Sequence, residues 1–229
     1  MDWREKHGQV IDSFLSFMNG ITDRYILKGG TALQKCYNLT RFSEDIDLDG
    51  SNGNQIITIC QNYCKNNGFS LRIAKNTDTV KRFMIDYNGI KPLKIELSSR
   101  RKSIPEEDTI IINGIKTYTI NVMTELKVSA YQQRDKIRDL FDITFIINNY
   151  YNDLEKGTKR ILRNALEYKG LEHFDYIIST QKDELINQDI LASSFLEAYE
   201  KVGLLATSKE KEVFLNSVDE IDEEQKFER

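Results

Sequence analysis

The chain has 229 residues, 40% of them apolar, 30% charged and 10% aromatic, with a formal net charge of −4. That length supports one large core or two modest ones without a covalent staple, and the composition is that of an ordinary globular protein. No apolar run reaches the eighteen or so residues that a helical membrane span requires, which excludes an integral helical membrane role.

The N-terminus, MDWREKHGQ, carries no basic-then-apolar leader, so a cytoplasmic protein is expected. Residues 2–19 place Val10, Ile11, Phe14, Leu15 and Met18 at helical spacing, which predicts an amphipathic helix ended by Gly20. RYILK, residues 24–28, predicts a short strand, and Gly29-Gly30-Thr31 then opens a helix to about Asn38. Residues 44–49 alternate as a strand, and 54–67 predict a helix stopped by Gly68. From Phe69 to Ile120 the chain is β-rich: FSLRIAK, VKRFMIDY, LKIELSS, and a hairpin TIIINGIKTYTI whose Asn113-Gly114 pair suits a tight primed turn. Beyond Val122 the pattern is helical over 123–150 and 153–217, with almost no Gly or Pro to interrupt it. An α+β fold is expected: an N-terminal half at 1–121 and an all-helical half at 122–217. With two prolines in all and no rigid linker, the halves are expected to pack together. Residues 218–229 (VDEIDEEQKFER) carry the whole net charge and predict a mobile acidic tail. A neutral body remains, with basic clusters at Arg100, Arg101 and Lys102, and at Lys156, Lys159, Arg160 and Arg163. The second cluster has helical spacing and reads either as a solvated helix face or as an RNA-backbone patch.

Cys36, Cys60 and Cys64 form no metal motif, and their odd number argues against a disulfide framework, as in a reducing compartment. His7 and His173 stand alone and are expected on the surface or half-buried, so no histidine-based zinc site is expected.

The chemistry concentrates in ILKGGTALQKCYNLTRFSEDIDLDG, residues 26–50. On a strand, Asp45, Asp47 and Asp49 share one face while Ile46 and Leu48 point the other way. Three carboxylates on one face repel each other, and a hard divalent cation such as Mg²⁺ is the natural remedy. DIDLDG begins like a calcium loop, but the twelfth position of that motif is Ile56 instead of Glu, and the eighth is Asn52. Upstream, a Gly-Gly-Thr turn entering a helix presents backbone N–H groups and a positive dipole end to a phosphate. It is not a Walker loop. Gly-Gly alone is a plain turn. Paired with the Asp-x-Asp strand, it suits a metal-bound nucleoside triphosphate. A third carboxylate is expected from a neighbouring strand, and Glu96 in LKIELSS is the candidate.

GGTAL followed by RFSEDIDL resembles the nucleotidyltransferase signature of the polymerase-β-like superfamily. With MTELKVSAYQQRDKIRDLFDI, residues 123–143, it is similar to the AbiEii/AbiGii toxin family of toxin–antitoxin and abortive-infection systems. The resemblance implies a mixed sheet with flanking helices followed by a helical bundle. It further implies transfer of a nucleoside monophosphate from a triphosphate to an RNA acceptor such as the tRNA 3′ end, with a cognate antitoxin encoded nearby. Carried onto this chain, Gly29, Gly30 and Thr31 would hold the triphosphate, the Thr31 hydroxyl donating. Asp45 and Asp47 would ligate two Mg²⁺ ions, and Glu96 would complete the site and help activate the attacking hydroxyl. Lys127 would reach the phosphates, Arg41 and Ser43 would steer the nucleotide, and Asp139 would orient Lys127 or touch the acceptor. Arg138 and Asp142 fit an ion pair or helix cap as well as a direct role. Asp49 departs from the pattern as an additional acid, and Glu96 stands where the superfamily more often has Asp. Two alternatives stay open. One is nucleotidyl or phosphoryl transfer to a protein or small molecule, and the other is a non-catalytic nucleotide-binding module.

Overall fold

Residues 2–51 and 53–205 are described in the computed structural model of the chain. The acidic end at 218–229, and the part of the expected C-terminal helical run beyond 205, lie outside them. The chain divides into two compact units, Met1–Thr119 and a second from Ile120 onward.

The first unit is built on one mixed sheet. Its elements are α1 (Trp3–Asn19), β1 (Ile26–Lys28), α2 (Gly29–Tyr37), β2 (Asp45–Asp49), α3 (Gly53–Asn67), β3 (Ser70–Asn76), β4 (Val80–Asp86), β5 (Leu93–Ser98), β6 (Thr109–Ile112) and β7 (Ile115–Tyr118). The seven strands run in the order β3-β4-β5-β2-β1-β7-β6. β1 lies antiparallel to β2 and parallel to β7, and β2 lies parallel to β5. Helix α1 starts at Asp2, whose carboxylate accepts from the Arg4 N–H, and buries the predicted stripe of Val10, Ile11, Phe14, Leu15 and Met18. The β6–β7 hairpin turns on Asn113 (φ 52°) and Gly114 (φ 75°), with Ile112 facing Ile115. Positive φ at both central residues is what a primed two-residue turn demands. Leu27, Ile46, Leu48, Phe83, Ile95 and Leu97 are fully buried on their strands.

His7 corrects a sequence expectation. It is fully buried, Nδ1 against the Tyr87 hydroxyl at 2.6 Å and Nε2 against the Glu44 carbonyl at 2.8 Å. With both ring nitrogens engaged, burial costs little. His173 is half-buried, as expected.

The second unit is helical: α4 (Ile120–Gln133), α5 (Ile137–Tyr150), α6 (Lys156–Thr180) and α7 (Gln188–Lys201). The two long helical runs expected from periodicity are broken three times: between α4 and α5, at Gly170 within α6, and between α6 and α7. Between α4 and α5 the Gln181 side chain accepts from the Ile137 N–H at 3.0 Å and donates to the Asp135 carbonyl at 2.8 Å. A tertiary bond thus stops a helix where no Gly or Pro does. α6 kinks at Gly170, whose φ of 71° is not helical. Among the described residues no helix is long and apolar enough to cross a membrane.

Candidate active site

Alternation along β2 buries Ile46 and Leu48 and turns the side chains of Asp45, Asp47 and Asp49 to the opposite face. The parallel pairing of β2 with β5 then sets Asp45 opposite Lys94 and Asp47 opposite Glu96, so that Glu96 joins the acidic row from the next strand. On the other side, Lys28 of β1 is in register with Asp47. Each carboxylate has a cationic neighbour. Lys94 is bonded to Asp45, Arg82 of β4 donates to Glu96 Oε2 at 2.7 Å, and Lys28 is bonded to Asp49.

The carboxylates differ. Asp49 is buried and accepts from the Tyr118 hydroxyl at 2.7 Å as well as from Lys28, so it is fixed within the sheet. Burial, reinforced by that carboxylate, pushes the Tyr118 hydroxyl pKa upward and keeps it a donor. Asp47 sits deepest in the open row. Its pKa is raised, first by burial and then by repulsion from Asp45 and Glu96, against the lowering effect of Lys94 and Lys28. A carboxylate disfavoured in its charged form gains most from a cation placed beside it.

The β1–α2 turn lies directly on this row. Gly29 has φ 75°, and a Cβ there would sit 2.9 Å from Asp47 Oδ2. A Cβ on Gly30 would sit 2.7 Å from Ser43 Oγ and 2.9 Å from an Arg41 guanidinium nitrogen. Both glycines are therefore required by close approach, Gly29 by its backbone as well. Thr31 is buried, and its hydroxyl is bonded to the Asp45 carbonyl and to Ser43 Oγ at 2.9 Å. It ties α2 to the start of β2. Arg41 and Ser43 are likewise buried beside the turn, the Ser43 hydroxyl bonded to that of Thr31 and its N–H donating to Gln34 at 3.2 Å.

Gly29, Gly30, Thr31, Arg41, Ser43, Asp45, Asp47 and Glu96 are thus gathered in one region of the first unit. Lys28, Lys94 and Arg82 were not anticipated. Lys94 shares a strand face with Glu96 at a spacing of two and was legible in that alternation, whereas Arg82 reaches Glu96 only through the β4–β5 register. Among the described residues no three His, Cys, Asp or Glu side chains converge tightly enough to form a metal cluster. The donor chemistry still fits a hard divalent ion, because Asp45, Asp47 and Glu96 are oxygen donors on adjoining positions and Asp47 is destabilised when charged without one.

In the helical unit, Lys127 on α4 is bonded to Asp142 on α5, and both are buried. Asp139, also buried, takes a two-pronged contact from Arg134, Nε at 2.6 Å and Nη2 at 2.9 Å. The carboxylate that orients Lys127 is therefore Asp142, and Asp139 serves Arg134. Arg138 pairs with Asp183.

The family described as "Nucleotidyl transferase AbiEii toxin, Type IV TA system" matches residues 18–224. The chain is similar to the crystal structure of JHP933 from Helicobacter pylori, at 26% identity and a TM-score of 0.76, over 96% of this chain and 99% of that one. It shares a fold with MenT4, nucleotidyltransferase toxin Rv2826c from Mycobacterium tuberculosis H37Rv, at 12% identity and a TM-score of 0.56, over 96% of this chain and 93% of that one. No curated protein sequence matches the chain.

Proposed function

The chain belongs to the AbiEii nucleotidyltransferase toxin family, and from that premise we propose that it moves a nucleoside monophosphate from a triphosphate to an RNA acceptor such as the tRNA 3′ end. The observation that carries this reading is the register placing Asp45, Asp47 and Glu96 on adjoining positions beside the Gly29-Gly30 turn. Fold and family are those of polymerase-β-like nucleotidyltransferases, enzymes that act on nucleoside triphosphates with a divalent metal.

In this reading Gly29 and Gly30 let the triphosphate approach the backbone, and α2 turns its N–H groups towards the phosphates. Thr31 and Ser43 hold the turn against β2. Asp45 and Asp47, with Glu96, would hold two Mg²⁺ ions; bound there, Mg²⁺ supplies neutralisation of the charge on the phosphate oxygens. The acceptor hydroxyl attacks the α-phosphorus, its O–P bond forming as the bond to the pyrophosphate oxygen breaks. Glu96 accepts the hydroxyl proton, directly or through water. Lys127, paired with Asp142, neutralises the departing pyrophosphate as a compact point charge. Asp139 positions Arg134 for the acceptor. Growth arrest would follow in the cytoplasm, restrained by an antitoxin encoded nearby.

The test is label transfer. Protein, Mg²⁺, total tRNA and each α-labelled nucleoside triphosphate in turn are incubated beside an Asp45→Ala/Asp47→Ala control. Label on tRNA with the native protein alone is the expected result and names the nucleotide. Triphosphate binding without label on tRNA would overturn the tRNA acceptor and direct attention to proteins or small molecules.

A further inference from the structure

A cleft of about 680 Å³ opens in the helical unit where the α4–α5 turn meets the end of α6. Arg134, Lys136, Arg138 and Lys182 line it, with Asp139 and Asp183 as the two carboxylates. Those carboxylates are engaged with Arg134 and Arg138 respectively. Lys136 and Lys182 are exposed, and among the described residues no carboxylate pairs with either. Gln181, bonded to both sides of the α4–α5 turn, braces the wall between them. The lining holds no aromatic residue, and its one apolar member, Ile137, is buried.

This combination selects a ligand class. Surplus positive charge spread round an opening larger than one phosphate attracts several anionic groups. A wall without an aromatic platform offers a nucleobase nothing to stack on, which disfavours a free nucleotide. We propose that this cleft seats the phosphodiester backbone of a single-stranded polynucleotide without reading its bases. The inference rests on the transfer reading only in making that polynucleotide the acceptor.

The test measures binding of a fluorescein-labelled single-stranded RNA of mixed sequence to the full chain by anisotropy, across a salt series and without triphosphate. Transfer activity is measured separately, so failure of docking and failure of chemistry are read apart. Lys136→Ala/Lys182→Ala should bind about tenfold more weakly at physiological salt, and the slope of log affinity against log salt should flatten by about 1.4, from two lost single-strand phosphate contacts. Lys136→Arg/Lys182→Arg should retain binding. Lys136 makes no side-chain cap to α5, so the helices should survive, as circular dichroism checks. Absence of RNA binding by the native chain would overturn the proposal, as would an unchanged slope in the alanine variant. Displacement of RNA by equimolar ATP, with the same variant losing ATP affinity, would also overturn it by giving the cleft to free nucleotide.

Discussion

At Gly29 the backbone passes from β1 into α2 with φ 75°, and the place of a Cβ is 2.9 Å from an Asp47 oxygen. Alanine there meets two obstacles: a left-handed backbone costing about 1–2 kcal/mol, and a methyl group pressed on the carboxylate. Gly29→Ala is expected to lower stability by about that amount in urea unfolding and to abolish label transfer. A variant that kept full transfer would remove the turn from the site. The sequence made this position visible because Gly-Gly before a helix and alternating Asp residues are local patterns. Thr31 was visible as a residue, but the partner of its hydroxyl was not. A threonine beside a phosphate-binding turn reads as a donor to ligand, whereas here its hydroxyl bonds the Asp45 carbonyl, fourteen positions along the chain. Such a bond depends on how α2 lies against β2, which no spacing encodes.

Helices α4 and α5 meet through Lys127 and Asp142, a buried pair on opposite elements. Removing one partner of such a pair leaves a buried charge and costs about 3–5 kcal/mol, whereas replacing both with apolar groups of similar size is often neutral. Lys127→Met alone should therefore destabilise by about that amount, and Lys127→Met/Asp142→Leu should regain most of it. If Lys127 serves the phosphates, the double variant stays inactive while stable; restored transfer would reduce Lys127 to a structural role. The turn between these helices carries a second, pH-dependent link. Asp135 accepts from Lys169 and His173, which hold its pKa down at about 2. A carboxylate lowered on folding stabilises above its unfolded value, near 3.9, and the contribution disappears as pH falls through about 2. Thermal unfolding of Asp135→Asn should thus lie below that of the native chain at pH 5 and above, and the gap should close as pH drops from about 4 towards 2. A gap independent of pH would show that Asp135 acts only through its shape. Periodicity gave no warning of this turn, because Arg134, Asp135 and Lys136 are all compatible with a continuous helix. Tertiary bonds from Gln181 end it.

For the chain as a whole, strand pairing separates what was legible from what was not. The β6–β7 hairpin is joined by two residues and announces itself, but β2 pairs with β5 across two intervening strands and a helix. Glu96 could therefore be nominated from its alternation, while its place opposite Asp47 had to come from the fold. Cysteine placement offers a probe of this unit. Cys36 lies on α2, Cys60 and Cys64 on α3, and all three are free and buried. Burial pushes Cys36 and Cys64 up to about 11, and Cys60 upward as well. Since the thiolate is the reacting form, the native protein should be nearly inert to a thiol reagent at pH 8 and release three equivalents once unfolded. A ligand that binds only the folded state lowers the open population, by about 2.7 kcal/mol or a hundredfold at 100 times its dissociation constant. Mg²⁺ with a non-hydrolysable triphosphate should therefore slow labelling by about that factor when opening is rapid and reversible. Asp45→Ala/Asp47→Ala should lose the protection, because the carboxylates that would hold the metal-bound triphosphate are gone. Equal rates with and without ligand in the native chain would mean that α2 and α3 open without disturbing the bound nucleotide, which is incompatible with a triphosphate seated on Gly29 and Gly30 at the start of α2.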